Sequence, residues 1–394
     1  CLIRLGKTAE AQIAIATAEK EPADYCFPNA LEAIEALQCV VDFAGKAPKA
    51  LYYLGNLWYD KRRYPTAIAA WERSSREDET FPTVWRNLSL AYFNKMNRPD
   101  EAVALLEKAF RLDHTDARVL MELDQLYKRL NRPHIERLCF LEQHIDIVMT
   151  RDDLYLEYVT LLNQTGQYRE AIRRIDQRKF HPWEGGEGKV PAQYQLARLE
   201  LAKELINRKK YDDALALIDE CYIYPTHLGE GKLPGAQEND FNYYKAYILQ
   251  QQGRPEEAHS LFVKACSGNS QPAAAMYYND QKPDKIFYQG LAYRKLGEEE
   301  KARSRFNQLI TYGEEHLFDR FKMDYFAVSL PDLLIWEDDM DKKNRIHCNY
   351  LMALGHLGLG NRTKAEHFFD IAASMDNNHQ GVQIHRKLMN TILS

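Results

Sequence analysis

A short loop rich in glycine and acidic residues occurs twice in the chain, and its residue types can bind a ligand. Residues 181–189 read His-Pro-Trp-Glu-Gly-Gly-Glu-Gly-Lys, and residues 224–232 read Tyr-Pro-Thr-His-Leu-Gly-Glu-Gly-Lys. The shared Gly-Glu-Gly-Lys motifs lie 43 residues apart, and each loop follows a predicted amphipathic helix. Because loops carry binding residues more often than buried helix faces do, these loops are the first candidates for specific chemistry.

Glycine-rich loops can bind phosphate through backbone N–H groups, so a nucleotide site is the first hypothesis. The nucleotide P-loop requires a Lys followed by Ser or Thr, between a strand and a helix. Here Val190 follows Lys189 and Leu233 follows Lys232, and each loop contains a Glu that would repel phosphate. These flanking residues argue against a nucleotide, and no cofactor is expected.

Two interpretations of the loops remain open. In the structural one, the glycines supply turns with positive φ, while the charged residues pair with neighbouring segments. In the functional one, an aromatic ring stacks on a sugar or on a partner's side chain, and the charged groups around it form directed hydrogen bonds. The candidate ligand- or partner-binding residues of the loops are Trp183, Glu184, Glu187, Lys189, His227, Glu230 and Lys232.

Paired carboxylates raise the question of glycoside hydrolysis, because two acids flanking the scissile bond are its minimal machinery. Glu184, Glu187 and Glu230 are available, but the sequence does not give the distances between them. We expect no catalytic residue in this chain alone, and at most a loop that completes a site shared with another domain. The histidines and the seven cysteines show no metal-ligand spacing, so no metal site is expected.

The elements that must position these loops recur along the chain. A Gly or Asn is followed by Pro or an acidic residue and then by Ala, as in 253–258 and 297–302. The Gly or Asn ends one helix in a left-handed conformation, and Pro or an acid begins the next helix. Aromatic and Leu residues at helical spacing form the buried stripe. The pattern predicts antiparallel helix pairs that approach closely at the small Ala.

This pattern resembles the tetratricopeptide repeat (TPR) over nearly the whole chain, for example at Trp58, Tyr64, Ala67 and Trp71. The resemblance implies an all-α fold, a right-handed TPR-like α-solenoid of antiparallel helix pairs, in which the first (A) helix of each pair lines a concave groove. We expect N-terminal TPR-like repeats, starting mid-repeat, at 1–150. TPR-like repeats with the two long loops follow at 151–312, and an apolar insertion with a capping repeat at 313–394.

A second candidate site lies on neighbouring predicted A helices, at Arg86 and Asn87 and at Glu122 and Asp124. These residues either line a binding groove or pair with each other across the two helices, which needs no ligand. Some TPR proteins bind a terminal carboxylate with a clamp of Lys, Asn and basic residues. Three of the five clamp positions agree here, but Glu122 would oppose a carboxylate.

A long apolar stretch interrupts the repeats at 313–341, and its residues are too hydrophobic for a solvated linker. Such an insertion is usually functional or packed onto the domain. We expect it to fold back and seal an edge of the solenoid. The alternative is a docking surface for another domain or subunit.

A narrower resemblance is to the C-terminal TPR half of large bacterial proteins that carry an uncharacterised β-rich N-terminal domain. It rests on the residues 85–88 and 122–124 and on the two loops. The resemblance implies a link to carbohydrate metabolism, and it agrees with a chain that begins with Cys1 inside a repeat. A missing N-terminal domain is therefore expected.

The favoured function is an interaction scaffold that binds a protein partner or its own missing N-terminal domain. The alternative is the helical half of a carbohydrate-binding or carbohydrate-processing protein, with a glycan bound by loops 181–190 and 224–235. Nucleic acid is not an expected partner, because the net charge is −5 and no long basic run is present. No apolar run approaches the ~18 residues of a membrane span, and scattered, unpaired cysteines are typical of a cytoplasmic protein.

Overall fold

The computed structural model describes residues 1–183, 185–274, 280–320 and 335–389, and these ranges form α-helices joined by turns and loops. The chain divides into two compact units. Unit 1 comprises Cys1–Leu130 with Leu334–Glu337, and unit 2 comprises Asn131–Leu333 with Asp338–Ser394. The three-part division at 150 and 312 was drawn from loop spacing and stays a prediction.

Unit 1 consists of two initial helices, two helix hairpins and a further helix. These are α1 Thr8–Ala18, α2 Leu31–Ala44, α3 Pro48–Asp60, α4 Tyr64–Glu77, α5 Pro82–Met96, α6 Pro99–Leu112 and α7 Ala117–Arg129. Helix α3 packs on α4 and helix α5 packs on α6 along their lengths. Pro48, Pro82 and Pro99 each occupy the first position of a helix, where a missing N–H costs nothing.

Unit 2 consists of further hairpins and a C-terminal helix. Its helices are α8 His134–Gln143, α9 Ile145–Val148, α10 Asp152–Gln164, α11 Tyr168–Asp176, α12 Lys189–Asn207, α13 Tyr211–Cys221, α14 Asn239–Gln251, α15 Pro255–Ala265, α16 Pro283–Lys295, α17 Glu299–His316, α18 Met340–Gly358, α19 Arg362–Met375 and α20 Gln380–Leu388. The expected all-α fold of antiparallel helix pairs is confirmed in each unit, because consecutive helices pack against each other as hairpins.

Each hairpin within a unit turns at a residue with positive φ. The residues at this position are Arg62, Asn97, Gly166, Lys209, Gly253, Gly297 and Gly360. The left-handed conformation ends helix A and lets the chain reverse into helix B. The sequence pattern predicted the Gly and Asn turns, whereas Arg62 and Lys209 take the same conformation with long side chains.

Small residues allow the two helices of a hairpin to approach closely. The Ala of the recurring turn pattern is buried in every case: Ala67, Ala102, Ala171, Ala214, Ala258, Ala302 and Ala365. In the first hairpin Gly55 has the same role, since a Cβ there would lie 2.2 Å from the indole of Trp71. The Trp71 ring therefore lies directly on the backbone of α3.

Residues at the start of helix α20 bond to earlier helices of unit 2. Asn378, just before α20, accepts a hydrogen bond of 2.7 Å from Nη1 of the buried Arg137. The side chains of Gln380 and Gln193 bond to each other at 2.8 and 3.0 Å. The start of α20 thus joins the last helices of unit 2 to its first ones, mostly through amide and guanidinium groups.

The apolar insertion lies partly outside the described residues, which exclude 321–334. Its beginning continues α17 as far as His316, and Met340 begins α18. Asp339 caps α18 by accepting the N–H of Lys342 at 2.8 Å. The segment Ile335–Trp336–Glu337 belongs to unit 1 and packs on it. The expected sealing of a solenoid edge stays a prediction.

Candidate functional site

The two glycine-rich loops contact each other in unit 2. The N–H of Phe180 donates to the carbonyl of His227 at 2.8 Å. The N–H of Gly188 donates to Oε2 of Glu230 at 2.7 Å. Gly229, at φ +76°, lies so close that a Cβ would come within 2.7 Å of the Phe180 carbonyl oxygen. The two loops therefore lie side by side and contact each other.

The first loop is also fixed to α10. Oδ2 of Asp152 accepts the backbone N–H of His181 at 2.9 Å and lies 3.1 Å from its Nδ1. Nε of Arg178 binds the other carboxylate oxygen at 2.6 Å. Burial opposes the charge on Asp152, but the His181 N–H and the Arg178 guanidinium outweigh it, so the pKa of this carboxyl is lowered. The charged form of Asp152 thereby holds the start of the loop.

Several candidate side chains of the loops already have partners within the chain. The Trp183 indole covers Gly186, where a Cβ would lie 2.3 Å from the ring. Lys232 donates to the Tyr222 carbonyl at 3.1 Å and forms an ion pair with Glu238. These contacts favour the structural interpretation, in which the loops form a stiff corner.

Two of the remaining loop candidates, His227 and Glu230, have different neighbours. His227 Nε2 lies 3.7 Å from Oδ1 of Asp176, which pairs with the guanidinium of Arg198. Burial and the nearby Glu187 raise the pKa of Glu230, although the Gly188 N–H opposes this shift. Glu187 and Lys189 are exposed. Glu184 lies outside the described residues, so the structure gives no distance between its carboxylate and that of Glu187 or Glu230.

In unit 1 the predicted groove residues pair across adjacent helices. Nε and Nη2 of Arg86 bind the two carboxylate oxygens of Glu122 at 2.6 and 2.5 Å, and Glu122 is fully buried. Nε of Arg118 adds a bond of 3.0 Å to Glu122. Asn87 donates to Oδ1 of Asn56 at 3.0 Å. The expected pairing of Arg86 with Glu122 is confirmed, and the one cation of the matching clamp positions, Arg118, is engaged by Glu122.

These residues lie on one face of α5 and α7, which we call the A-helix face of unit 1. Phe93 and Asn94 follow Arg86 and Asn87 by two helical turns, and Arg129 follows Glu122 by the same interval. Asp124 is 1% exposed and lies on the same helix as Glu122.

A short non-helical segment of the chain itself is bound on this face. Nδ2 of Asn94 donates to the carbonyl of Ile335 at 2.8 Å, and the N–H of Glu337 donates to Oδ1 of Asn94 at 3.0 Å. Arg129 donates to the carbonyls of Trp336 and Glu337 at 3.2 and 3.4 Å. One amide and one guanidinium thus bind the main chain on either side of Trp336.

The side chain of Trp336 is 1% exposed and fills a slot between α5 and α7. Its ring meets Phe93 edge-on at 5.1 Å between centroids, and its Nε1 donates to the Glu122 carbonyl at 3.2 Å. Lys95 forms an ion pair with Glu337. The sequence pattern indicated Arg86, Asn87, Glu122 and Asp124 as candidate residues. It did not indicate Phe93, Asn94 and Arg129. The signal that could have found them is their spacing on the same helix faces.

A metal-binding cluster and a membrane-spanning helix are both absent from the described ranges. No cluster of three or more His, Cys, Asp or Glu residues there is arranged to hold a metal ion. No helix among the described residues is both long and apolar enough to cross a bilayer.

Comparison with known proteins identifies two stretches of the chain. Tetratricopeptide-repeat sequence models match residues 82–116, which include Arg86, Asn87 and Asn94, and residues 286–312. The chain is similar in structure to YrrB, a TPR protein with an unusual peptide-binding site, at 15% identity and a TM-score of 0.36, covering 48% of this chain and 91% of that one.

Two further solved structures are similar to this chain. A tetratricopeptide repeat protein from Parabacteroides merdae has 15% identity and a TM-score of 0.32, covering 66% of this chain and 91% of that one. Naa15/Naa10 bound to HypK-THB has 12% identity and a TM-score of 0.42, covering 98% of this chain and 66% of that one.

Proposed function

We propose that the chain is a protein-interaction scaffold of the tetratricopeptide-repeat type, whose A-helix face of unit 1 binds a segment of a partner protein. Sequence models of this repeat match residues 82–116 and 286–312. Solenoids of helical repeats present extended concave surfaces that suit polypeptide ligands. The observation that carries the proposal is the Asn94 carboxamide, which bonds to the carbonyl of Ile335 and to the N–H of Glu337 at the same time.

Main-chain groups occur in every polypeptide, so Asn94 and Arg129 can hold a segment whatever its sequence. An amide that satisfies both a carbonyl and an N–H also avoids the cost of burying either group unpaired. The Arg86–Glu122 pair beside it fixes the two helices in one geometry. A surface prepared in this way loses little conformational entropy when a segment binds.

Amide side chains of unit 2 also bind a segment of the same chain. There the amide of Gln193 on α12 is engaged by Gln380, and Gln164 on α10 donates to the carbonyl of Asn378 at 2.8 Å. These two amides are therefore engaged by the C-terminal segment of unit 2. In unit 1 the described part of the bound segment comprises residues 335–337.

A display experiment tests the proposal with a random peptide library in place of the partner. Random hexapeptides on phage are panned against the full chain carrying Trp336→Ala, which is expected to release the bound segment. The matched control carries Trp336→Ala with Asn94→Leu. Peptides enriched on the first chain but not on the second support the function. Equal enrichment on both, or none on a chain with normal helix content, overturns it.

The finer proposal is that the partner includes a preceding part of the same polypeptide. It is supported by large apolar side chains left exposed at the first helices, Leu5, Phe27 and Leu31 at 70%, 76% and 66%. Contiguous exposed apolar surface often marks an interaction site. Any polypeptide that precedes Cys1, expressed separately, should co-elute with this chain, and Leu31→Asp should abolish co-elution. Co-elution that is unaffected by Leu31→Asp, or no association, contradicts the finer proposal.

A further inference from the structure

The chemistry of the bound segment defines a specific class of ligand. We propose that the A-helix face of unit 1 recognises a non-helical peptide in which Trp is followed directly by Asp or Glu, and that Trp336 and Glu337 are an intramolecular copy of this ligand. This inference rests on the proposed function, because it assumes that the face binds protein segments.

The slot that holds Trp336 fits a tryptophan side chain. The ring is almost completely buried, meets Phe93 edge-on, and donates its N–H to the Glu122 carbonyl. Phe lacks the N–H donor, and a small side chain would leave the slot empty. Buried Trp residues with a satisfied N–H are typical energetic centres of protein interfaces. Trp should therefore contribute most of the affinity.

The acidic residue that follows Trp336, Glu337, lies beside a lysine. Lys95 pairs with Glu337 and also lies 4.5 Å above the ring of Tyr64. The side chain of Lys95 is 21% exposed, and that of Glu337 is 53% exposed. An ion pair so open to solvent contributes little affinity, but it disfavours a basic residue at this position. The acid therefore adds selectivity rather than strength.

Asn94 and Arg129 hold residues 335–337 through hydrogen bonds to backbone groups, which carry no sequence information. They fix the position of the segment along the face, and so they place Trp in the slot and the acid beside Lys95. A partner peptide competes with the tethered copy, which holds the face at the effective concentration set by its tether.

The inference is tested with short peptides. A labelled pentapeptide Leu-Ile-Trp-Glu-Asp, the sequence of residues 334–338, is titrated into the chain carrying Trp336→Ala, and binding is followed by fluorescence anisotropy. Replacing Trp by Ala in the peptide should weaken binding by about 30-fold. Replacing its Glu by Lys should weaken binding by about threefold, and Lys95→Glu in the protein should reverse this preference.

The outcomes separate the inference from the proposed function. If the Ala peptide binds within about twofold of the parent while Asn94→Leu still abolishes binding, the inference is wrong and the proposed function stands. If no peptide binds although helix content is normal, both are wrong. Should Trp336→Ala lower the helix content, the same peptides are titrated into the wild-type chain. There the parent must compete best, and equal competition by all peptides overturns the inference.

Discussion

The indole N–H of Trp336 donates to the backbone carbonyl of Glu122 at 3.2 Å, across an interval of 214 residues. The Glu122 side chain, on the same residue, is bound by Arg86 and Arg118. Glu122 thus joins the frame of the A-helix face to the segment that the face holds. Its two arginine partners differ greatly in solvent exposure, so replacing each in turn tests how much burial strengthens the ion pair.

Arg86→Ala should destabilise the chain far more than Arg118→Ala. The side chain of Arg86 is 15% exposed, and its loss leaves the fully buried Glu122 carboxylate with a single, partly solvated partner. We expect a loss of about 3 kcal/mol in the free energy of unfolding. Arg118 is 58% exposed, so its removal should cost less than about 1 kcal/mol. Urea denaturation measures both, and equal losses would contradict the buried frame.

Gly229→Ala should separate the two glycine-rich loops. The residue has φ +76°, and the new Cβ would meet the Phe180 carbonyl oxygen at 2.7 Å. Strain of this kind costs about 1–3 kcal/mol. Gly231→Ala in the same motif is the control, since a Cβ there has no neighbour within 4 Å. Limited proteolysis at 181–189 reports the opening; identical cleavage of both variants would show that the loops do not depend on this contact.

Trp183→Ala and Glu187→Ala should leave peptide binding unchanged, because the contacts that hold residues 335–337 come from α5 and α7. The carbohydrate alternative predicts instead that these changes abolish glycan affinity. A glycan-array screen of the wild-type chain and both variants distinguishes the two. Glycan binding that is lost in the variants, with circular dichroism unchanged, would favour the alternative.

The free energy of unfolding should fall as the pH is lowered from about 7.5 to about 5. Over this range His347 takes up a proton in the unfolded chain but not in the folded one. Burial lowers the pKa of His347 to about 4, against an ordinary value of 6.5, although its contact with the Ala273 carbonyl at 2.8 Å opposes the shift. Between these values the unfolded chain binds more protons, so stability rises with pH. This side chain should contribute a loss of about 2 kcal/mol between pH 7.5 and pH 5.

The control for this prediction is His347→Gln, which can still donate to the Ala273 carbonyl but does not titrate. Urea denaturation at the two pH values gives the comparison. The variant should lose less stability than the wild type on acidification. The same pH dependence in both proteins would assign the effect to other groups, such as His379 and His385, whose pKa values burial also lowers.

The hairpins were predictable from sequence because their signals are local. A Gly or Asn turn, a following Pro or acid and a buried Ala all lie within one short window, as at Asn97 and Ala102. Arg62 and Lys209 adopt the same positive φ, but nothing in their side chains indicates it. The repeat pattern around them, rather than the residue itself, predicts those turns.

The candidate site was predictable only in part, for a physical reason. Arg86 and Glu122 lie on adjacent helices of one repeat pattern, so their pairing follows from helical spacing. The docking of Trp336 joins residues more than 200 positions apart and depends on a slot formed by two helices. No periodic signal encodes such a contact. The same holds for the Gly188–Glu230 bond, which the sequence motif did not indicate.

The central claim is that Asn94 holds a polypeptide segment on the A-helix face of unit 1. The most direct test is the dissociation constant of the pentapeptide 334–338 for the Trp336→Ala chain, with and without Asn94→Leu. Losing two hydrogen bonds to the peptide main chain should weaken binding by about tenfold or more. Equal dissociation constants for the two chains, both with normal helix content, would contradict the account.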